Sequence, residues 1–365
     1  MDIRIITIND RSNYGNRLQN YALQTCLQEM GEVTTLWAKT AWEKSLIVRA
    51  RRLKRNLVEA ARVGLTRYFE KKKRFRQFDE RYVRSVDFSI NIEERRDSSL
   101  ISKDAVLVIG SDQVWNINWL NENDLRYRLG LINNAKRAIS YAASIGVDSI
   151  GGEWHGIFKE GWQSLSDISV REYRAAELVQ EISGEDAEVV LDPTLLLTRS
   201  QWEKTFSGFV SNGDRYILTY FLGSPSKEQE DLICRIAKER DARIRRINDF
   251  SDLETYSAGP AEFVELIAKS EYVFTDSYHA CCFSILFGVP FKVFNRSGYE
   301  GKACMNSRME TLFRIFGLTN SMSDDLSMCR YDWEDVNSRL GRARADSVQW
   351  LTDAIAGDRR GCRND

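Results

Sequence analysis

The segment from residue 271 to 294 constrains the fold most, because it places two apolar strands on either side of an apolar helix. The first strand ends in a Thr-Asp-Ser turn, and the second strand begins at Pro290. The chain opens in the same way, with strand residues 3–8, an amphipathic helix at 16–30 and a strand at 33–37. A strand–helix–strand unit joins parallel strands. The sequence therefore predicts an α/β protein with parallel sheets.

With 365 residues, the chain is too long for one ordinary core and is predicted to form two domains. The first domain is expected over residues 1–205 and the second over 206–335, followed by a C-terminal helix and tail at 336–365. Ser207-Gly and the Ser-Asn-Gly-Asp run at 211–214 supply turn residues, which places the linker near 199–214.

Composition excludes several classes of protein. Hydrophobic residues make up 43% and charged residues 29% of the chain, which is typical of a globular protein, and a net charge of -1 gives no reason to expect nucleic acid as a partner. The seven cysteines form no CxxC pair, so we expect a reduced, cytoplasmic protein without a metal site. No signal peptide and no apolar run long enough for a membrane span is predicted.

The first domain is predicted to carry a basic helical insertion over about residues 41–100. Between residues 49 and 76, Lys and Arg alternate with Leu, Val and Phe at roughly helical spacing. Helices of this kind bind anionic membrane surfaces. The alternative is a solvated helix pair with one packed face.

His279 is the first candidate for catalysis. It follows Ser277 in the first turn of the predicted helix, at the carboxyl end of a buried strand, where ligands bind in open α/β sheets. A helix N-terminus favours a phosphate or carboxylate, and an imidazole beside it can carry a proton. The alternative is a histidine that only satisfies its own hydrogen bonds.

Residues 110–116 place four hydrogen-bonding side chains and an indole directly after a strand. Carbohydrate sites combine such groups, because a sugar has polar edges and an apolar face. Asp112 is predicted to accept a proton from a sugar hydroxyl, with Gln113 and Trp115 binding the sugar. The alternative is a helix cap and a core tryptophan.

The turn after the first strand contains Asn13-Tyr-Gly-Asn16. Gly15 suits a tight turn with close backbone approach, and Asn16 is a candidate helix cap. Asn13, Asn16 and Gln19 are predicted to bind the same sugar, although Gln19 and Asn20 are equally compatible with a surface position.

Arg171 follows another strand, where its guanidinium is suited to holding a carboxylate or phosphate. An ion pair with Glu172 or another acid is the competing interpretation. Asp192 precedes Pro193 and either points into the cleft or forms a turn. The chain has no Gly-x-Ser-x-Gly, Walker or HExxH motif, so a serine hydrolase, an NTPase or a zinc enzyme is poorly supported.

Together, six blocks over about residues 3–318 resemble the polysaccharide pyruvyl transferase family. In chain order they lie at residues 13–23, 110–116, 140–146, 169–172, 191–196 and 275–280. The resemblance implies two Rossmann-like domains facing a cleft, a GT-B-like fold, with the acceptor on the first domain and the donor on the second. It also implies transfer of the enolpyruvyl group of phosphoenolpyruvate to two hydroxyls of a sugar, which gives a pyruvate ketal and phosphate without a cofactor.

The resemblance implies that Arg171 binds the donor and that His279 takes part in catalysis. Some members carry an arginine where this chain has Ser277, and Arg296 or Arg308 is our candidate for the missing charge. The implied acceptor is a cell-surface glycan or its lipid-linked precursor, which suggests peripheral docking of the basic segment on the inner membrane face. Two alternatives remain open: a glycosyltransferase using a nucleotide sugar, and a non-catalytic glycan-binding protein of the same fold.

Overall fold

Two parallel sheets organise the computed structural model, which describes residues 1–8, 10–39, 46–89, 101–131, 135, 137–206, 213–295, 306–321 and 326–358. The strands of the first sheet are β1 (Asp2–Ile6), β2 (Glu32–Lys39), β3 (Ser85–Ser89), β4 (Val106–Asp112), β5 (Arg137–Ala143), β6 (Asp167–Val170) and β7 (Glu188–Val189). Their order across the sheet is β3-β2-β1-β4-β5-β6-β7, and every neighbouring pair is parallel.

The second sheet has the order β11-β10-β8-β9, again with parallel pairs. Its strands are β8 (Tyr216–Tyr220), β9 (Arg243–Ile247), β10 (Tyr272–Thr275) and β11 (Phe291–Val293). The helices are α1 (Tyr14–Gln28), α2 (Leu46–Val63), α3 (Leu65–Tyr82), α4 (Glu122–Arg128), α5 (Gly152–Ser164), α6 (Tyr173–Ser183), α7 (Arg199–Thr205), α8 (Lys227–Glu239), α9 (Pro260–Lys269), α10 (Tyr278–Phe287), α11 (Asn306–Phe316) and α12 (Trp333–Ala356).

Burial explains why the sequence forms these central elements. All seven residues of β4 are buried, as expected for a parallel strand covered by helices on both faces. Every residue of α10 is buried too, which suits a helix that is apolar around its whole circumference. The predicted α/β class with two Rossmann-like parallel sheets is confirmed.

Two details differ from the prediction. The proposed linker at 199–214 begins with α7, because Thr198 and Gln201 form a capping box that starts a helix there, and residues 207–212 lie outside the described chain. The insertion is not wholly helical, since β3 pairs with β2 at the edge of the first sheet. The domain boundaries themselves stay a prediction.

The C-terminal helix α12 begins at Trp333 and returns to the first sheet. Ser347 Oγ accepts the backbone N–H of Leu191 at 3.0 Å, and Arg344 Nε donates to the carbonyl of Leu195 at 2.7 Å. The Trp350 ring lies 6.1 Å from the ring of Tyr141 on β5. The last helix therefore supports the loop after β7, which carries Asp192.

One face of α3 is packed, as the alternative interpretation of the basic segment predicted. Phe75 lies 4.9 Å from the ring of Tyr14, whose other face stacks at 4.8 Å on Phe263 of α9. The hydroxyl of Tyr14 donates to the carbonyl of Ala258 at 2.8 Å. The helical insertion and α1 thus pack together against the part of the chain that forms the second sheet.

A buried ion pair between Arg17 of α1 and Asp79 of α3 joins the insertion to the first sheet. Arg17 Nη1 lies 3.3 Å from Asp79 Oδ1, and neither side chain is more than 9% exposed. We expect Asp79→Ala to lower the free energy of unfolding by about 3 kcal/mol, because it leaves a buried guanidinium without its partner. The measurement is urea unfolding followed by tryptophan fluorescence.

The matched control is Glu80→Ala, which removes an exposed carboxylate 3.9 Å from Arg76 on the same helix. This change is expected to alter stability by no more than about 0.5 kcal/mol. Equal unfolding midpoints for the two variants would contradict a stabilising role for the buried pair.

Candidate active site

Arg171 lies at the centre of a buried network at the carboxyl edge of the first sheet. It follows β6, and its guanidinium donates to two carboxylates that come from other strand ends. Nη1 donates to Asp192 Oδ2 at 2.7 Å, and Nη2 donates to Asp112 Oδ1 at 2.9 Å. Asp112 ends β4 and Asp192 follows β7, so one arginine joins the loops after three strands.

His279 reaches this network from the second sheet. It lies in the first turn of α10, directly after β10, and its Nε2 is 3.6 Å from Asp192 Oδ2. The same carboxylate oxygen accepts from Arg171. The imidazole and the guanidinium therefore converge on one carboxylate, although they come from different sheets.

The opposite side of the His279 ring lies against Gly15 in the first turn of α1. A Cβ atom on Gly15 would lie 2.0 Å from His279 Nδ1, which is far too close. Gly15 is needed for this contact rather than for a tight phosphate-binding turn, since it is part of a helix. The sequence correctly indicated close approach at Gly15, but the approaching group is the histidine.

Mutual electrostatics keep the network ionised. Burial acts to raise the pKa of Asp112 and of Asp192, but the positive groups beside them outweigh it and lower both pKa values. Burial likewise acts to lower the pKa of Arg171, yet the two carboxylates raise it well above its usual range. Arg171, Asp112 and Asp192 are therefore all charged at neutral pH.

Asn16 orients Asp112 from α1. Its Nδ2 donates to Asp112 Oδ2, so both carboxylate oxygens have a donor. Asn13 rather than Asn16 caps α1, because the Asn13 side chain accepts the N–H of Asn16 at 3.1 Å. Asp112 has a φ of 66°, a left-handed conformation that is uncommon outside glycine and occurs often at functional sites.

Gln19 lies beneath the loop after β4 and is not exposed at all. Its Nε2 donates to Thr7 Oγ1 at 2.9 Å, and its Oε1 accepts from Ser111 Oγ at 2.6 Å. The prediction that Gln19 binds the acceptor is therefore wrong, because both ends of its buried amide are bonded to Thr7 and to Ser111 of β4. Asn20 is equally buried, so the surface alternative is wrong as well.

Trp115 is also fully buried and belongs to the core of the first sheet. Its ring lies 5.8 Å from that of Trp162, and Nε1 donates to the carbonyl of Arg128 at 2.9 Å. The prediction of an aromatic platform for a sugar is therefore wrong at Trp115. The core alternative is correct, because an enclosed indole presents no face to a ligand.

Glu172 does not pair with Arg171, although the two are adjacent in sequence. Its Oε1 accepts from Ser144 Oγ at 2.9 Å and from the N–H groups of Ile145 and Gly146 at 2.9 and 3.2 Å. Glu172 thereby holds the loop after β5. The structural ion pairs of Arg171, which were the competing interpretation of this residue, are made with Asp112 and Asp192. Because its terminal nitrogens are so occupied, direct donor binding by Arg171 stays a prediction.

Tyr278, which the sequence analysis did not select, lies against both arginines of the site. The Arg171 Cζ lies 4.4 Å from its ring centroid, and the Arg308 Cζ lies at 5.9 Å. Its position directly before a candidate catalytic histidine was the only indication in the sequence that this tyrosine belongs to the site. Ser277 precedes it, donates its N–H to Thr275 Oγ1 at 3.0 Å and makes no side-chain cap bond.

Arg308 of α11 completes the cationic groups at the site, and it is 7% exposed. In the amide orientation that satisfies both residues, Gln113 Oε1 accepts from Arg308 Nη1 and Nη2 at 2.6 and 2.5 Å. Gln113 therefore binds a cation of the site, and its predicted contact with the acceptor stays a prediction. Arg296, the other candidate, lies outside the described residues.

Sequence comparison decides the family. The profile of the polysaccharide pyruvyl transferase family matches residues 13–298. The chain belongs to this family. No protein of curated function matches it in sequence. The family match includes the turn at Asn13–Asn16, Arg171, Asp192 and the His279 unit, but it ends before α11 and Arg308.

Several solved structures are distantly similar to this chain. The UDP-GlcNAc 2-epimerase of Neisseria meningitidis has a TM-score of 0.46 at 8% identity, with 98% of this chain and 100% of that chain covered. A functionally uncharacterised protein of Klebsiella pneumoniae has a TM-score of 0.45 at 11% identity, with 89% and 94% covered. The ADP-heptose LPS heptosyltransferase II of E. coli has a TM-score of 0.37 at 12% identity, with 94% of this chain and 99% of that chain covered.

The contact between Gly15 and His279 gives a direct test of the site geometry. We expect Gly15→Ala to displace the imidazole, because the added methyl group would lie 2.0 Å from Nδ1. The chain has only two histidines, so imidazole NMR can follow His279 alongside His155 as an internal reference. The His279 resonances should move and those of His155 should not.

Gly341→Ala is the control, since a Cβ at this helical position meets nothing within 4 Å. It should leave both histidines unchanged. If Gly15→Ala also leaves the His279 resonances in place, the described packing of α1 against α10 is incorrect.

Proposed function

We propose that the protein transfers the enolpyruvyl group of phosphoenolpyruvate to two hydroxyls of a glycan, forming a pyruvate ketal and releasing phosphate. One observation carries this proposal: His279 from the second sheet meets the Arg171, Asp112 and Asp192 network of the first. Family membership supports the transferase class, and the geometry supplies a proton carrier beside fixed charges.

The reaction needs a proton at the methylene carbon of the donor. We assign this proton to His279, whose imidazole is 8% exposed and lies at the N-terminus of α10. Protonation gives an oxocarbenium-like C2, which a first sugar hydroxyl attacks. The C2–O bond to phosphate then breaks, and the second hydroxyl closes the ketal. Each hydroxyl loses one proton, so the products are the ketal and phosphate.

Asp112 is our candidate to accept a hydroxyl proton. Its lowered pKa and its two donors make it a weak base. A weak base suffices here, because a hydroxyl becomes strongly acidic as its oxygen bonds to an oxocarbenium centre. Arg171 and Asn16 then fix the direction of the carboxylate, which favours transfer from one position of the sugar.

Replacing His279 tests the proposal. We expect His279→Ala to lower kcat for phosphate release from phosphoenolpyruvate by about 10²-fold or more, on the scale of general acid–base catalysis. The measurement is phosphorus NMR of the full-length protein with phosphoenolpyruvate and a panel of lipid-linked or synthetic glycans. The control is His155→Ala, an exposed histidine of α5 that should have normal turnover.

Near-normal turnover in His279→Ala would remove the proposed acid. The same spectra test the alternatives. A wild-type protein that releases a nucleoside diphosphate from a nucleotide sugar, and no phosphate from phosphoenolpyruvate, is a glycosyltransferase. A protein that binds glycan and consumes neither donor is a glycan-binding member of the fold.

We also propose that the helical insertion docks on an anionic membrane, where a lipid-linked acceptor would be met. Leu53 and Leu57 on α2 are 60% and 62% exposed, and Leu65 and Phe69 on α3 are 65% and 61% exposed, among many basic side chains. Exposed apolar side chains with Lys and Arg suit a peripheral membrane contact. Within the described residues, no helix combines the length and apolarity needed to span a bilayer.

Vesicle co-sedimentation tests this contact. The wild-type protein should bind vesicles containing phosphatidylglycerol and not neutral phosphatidylcholine vesicles, and the double change Leu57→Ser with Phe69→Ser should weaken binding at least about tenfold, given the apolar area withdrawn from the bilayer. Leu222→Ser, which alters a 45% exposed leucine after β8, is the control. Equal binding to both kinds of vesicle would exclude the proposal.

A further inference from the structure

Arg308 is a buried cation that has no carboxylate partner among the residues that the structure describes. It is 7% exposed, and among the described residues no acid lies within 4.0 Å of its guanidinium. This separates it from Arg171, which has two such partners. Burying an unpaired charge is unfavourable, so an isolated guanidinium inside a site indicates that an anionic ligand completes it.

The surroundings of Arg308 support this interpretation. Burial and the nearby charge of Arg171 lower the pKa of Arg308 to about 10, while Asp112 and Glu172 oppose the shift from a greater distance. The side chain therefore stays protonated at neutral pH. Gln113 Oε1 is the polar group against it, and a neutral amide oxygen orients a guanidinium without cancelling its charge.

Tyr278 places Arg308 beside the proposed proton donor. The ring of Tyr278 lies 5.9 Å from Arg308 Cζ and 5.5 Å from the ring of His279. The guanidinium of α11 and the imidazole of α10 therefore flank the same tyrosine ring.

We propose that Arg308, oriented by Gln113, binds the phosphate group of the donor. This inference rests on the proposed function. The phosphate is the most highly charged part of phosphoenolpyruvate and gains charge as the C2–O bond breaks, so a guanidinium there stabilises both the bound donor and the leaving group. Arg171 then has a positioning role, holding Asp112 and Asp192, and is not the phosphate-binding group.

The test measures phosphate binding separately from turnover. Inorganic phosphate is titrated into the full-length protein by calorimetry, with wild type, Arg308→Gln and Arg308→Lys. We expect Arg308→Gln to weaken phosphate binding by about tenfold or more, with partial recovery in Arg308→Lys, because a charged hydrogen bond is lost and then partly restored. Arg314→Gln alters an exposed arginine of the same helix and should bind phosphate normally.

A stability measurement distinguishes ligand binding from a structural role. Without phosphate, Arg308→Gln should unfold at the same or a higher temperature than wild type, because an unpaired buried charge is removed. Phosphate should raise the unfolding temperature of wild type and not that of the variant. A variant that unfolds at a lower temperature without phosphate, or wild type that fails to bind phosphate, would overturn the assignment.

Kinetics with phosphoenolpyruvate separate this inference from the proposed function. If both are correct, Arg308→Gln raises KM for phosphoenolpyruvate at least about tenfold. Wild-type turnover with an unchanged KM in the variant overturns the role of Arg308 and leaves the function intact. Phosphate binding that depends on Arg308, in a protein that does not consume phosphoenolpyruvate, supports the anion site and rejects the function.

Discussion

One buried guanidinium donates to two carboxylates, and these two contacts determine the arrangement of the site. Arg171 joins the loops after β4, β6 and β7, which separate strands of a parallel sheet deliver to the same edge. Removing Arg171 would leave two buried carboxylates without their shared guanidinium, so the three loops have little freedom relative to one another. His279 then needs to meet only one fixed oxygen, Asp192 Oδ2, for the site to be assembled across the two sheets.

Much of the fold follows from local apolar patterning. The predicted order of strand, turn, helix and strand around His279 agrees with the structure, because β10 and α10 are buried and carry an apolar run. Short or exposed elements were missed. β3 is an edge strand without a strong pattern, and α7 begins at a capping box inside a polar segment that resembled a linker. Such elements depend on tertiary packing more than on periodicity.

The structure brings the ionisable candidates close together, whereas two of the neutral candidates lie in the interior. Asp112 and Arg171 are brought together because each lies at the end of a strand of the first sheet, and these strand ends share one edge; His279 reaches the same network from the end of a strand in the second sheet. Gln19, in α1, and Trp115, directly after β4, are instead buried in the interior. Sequence position after a strand does not tell whether an amide or an indole faces the cleft or the core, whereas a buried charge must find a partner.

The two arginines of the site show why residue type alone does not assign a role. Both are buried and both lie over the ring of Tyr278, yet within the described parts of the chain Arg171 is paired with two acids and Arg308 with none. Two carboxylates around Arg171 leave that cluster negative, which by itself would repel a phosphate-bearing donor. The guanidinium of Arg308, over the ring of Tyr278, supplies positive charge on the other side of the site. Under the proposed function, the donor phosphate is therefore expected at Arg308 rather than at Arg171.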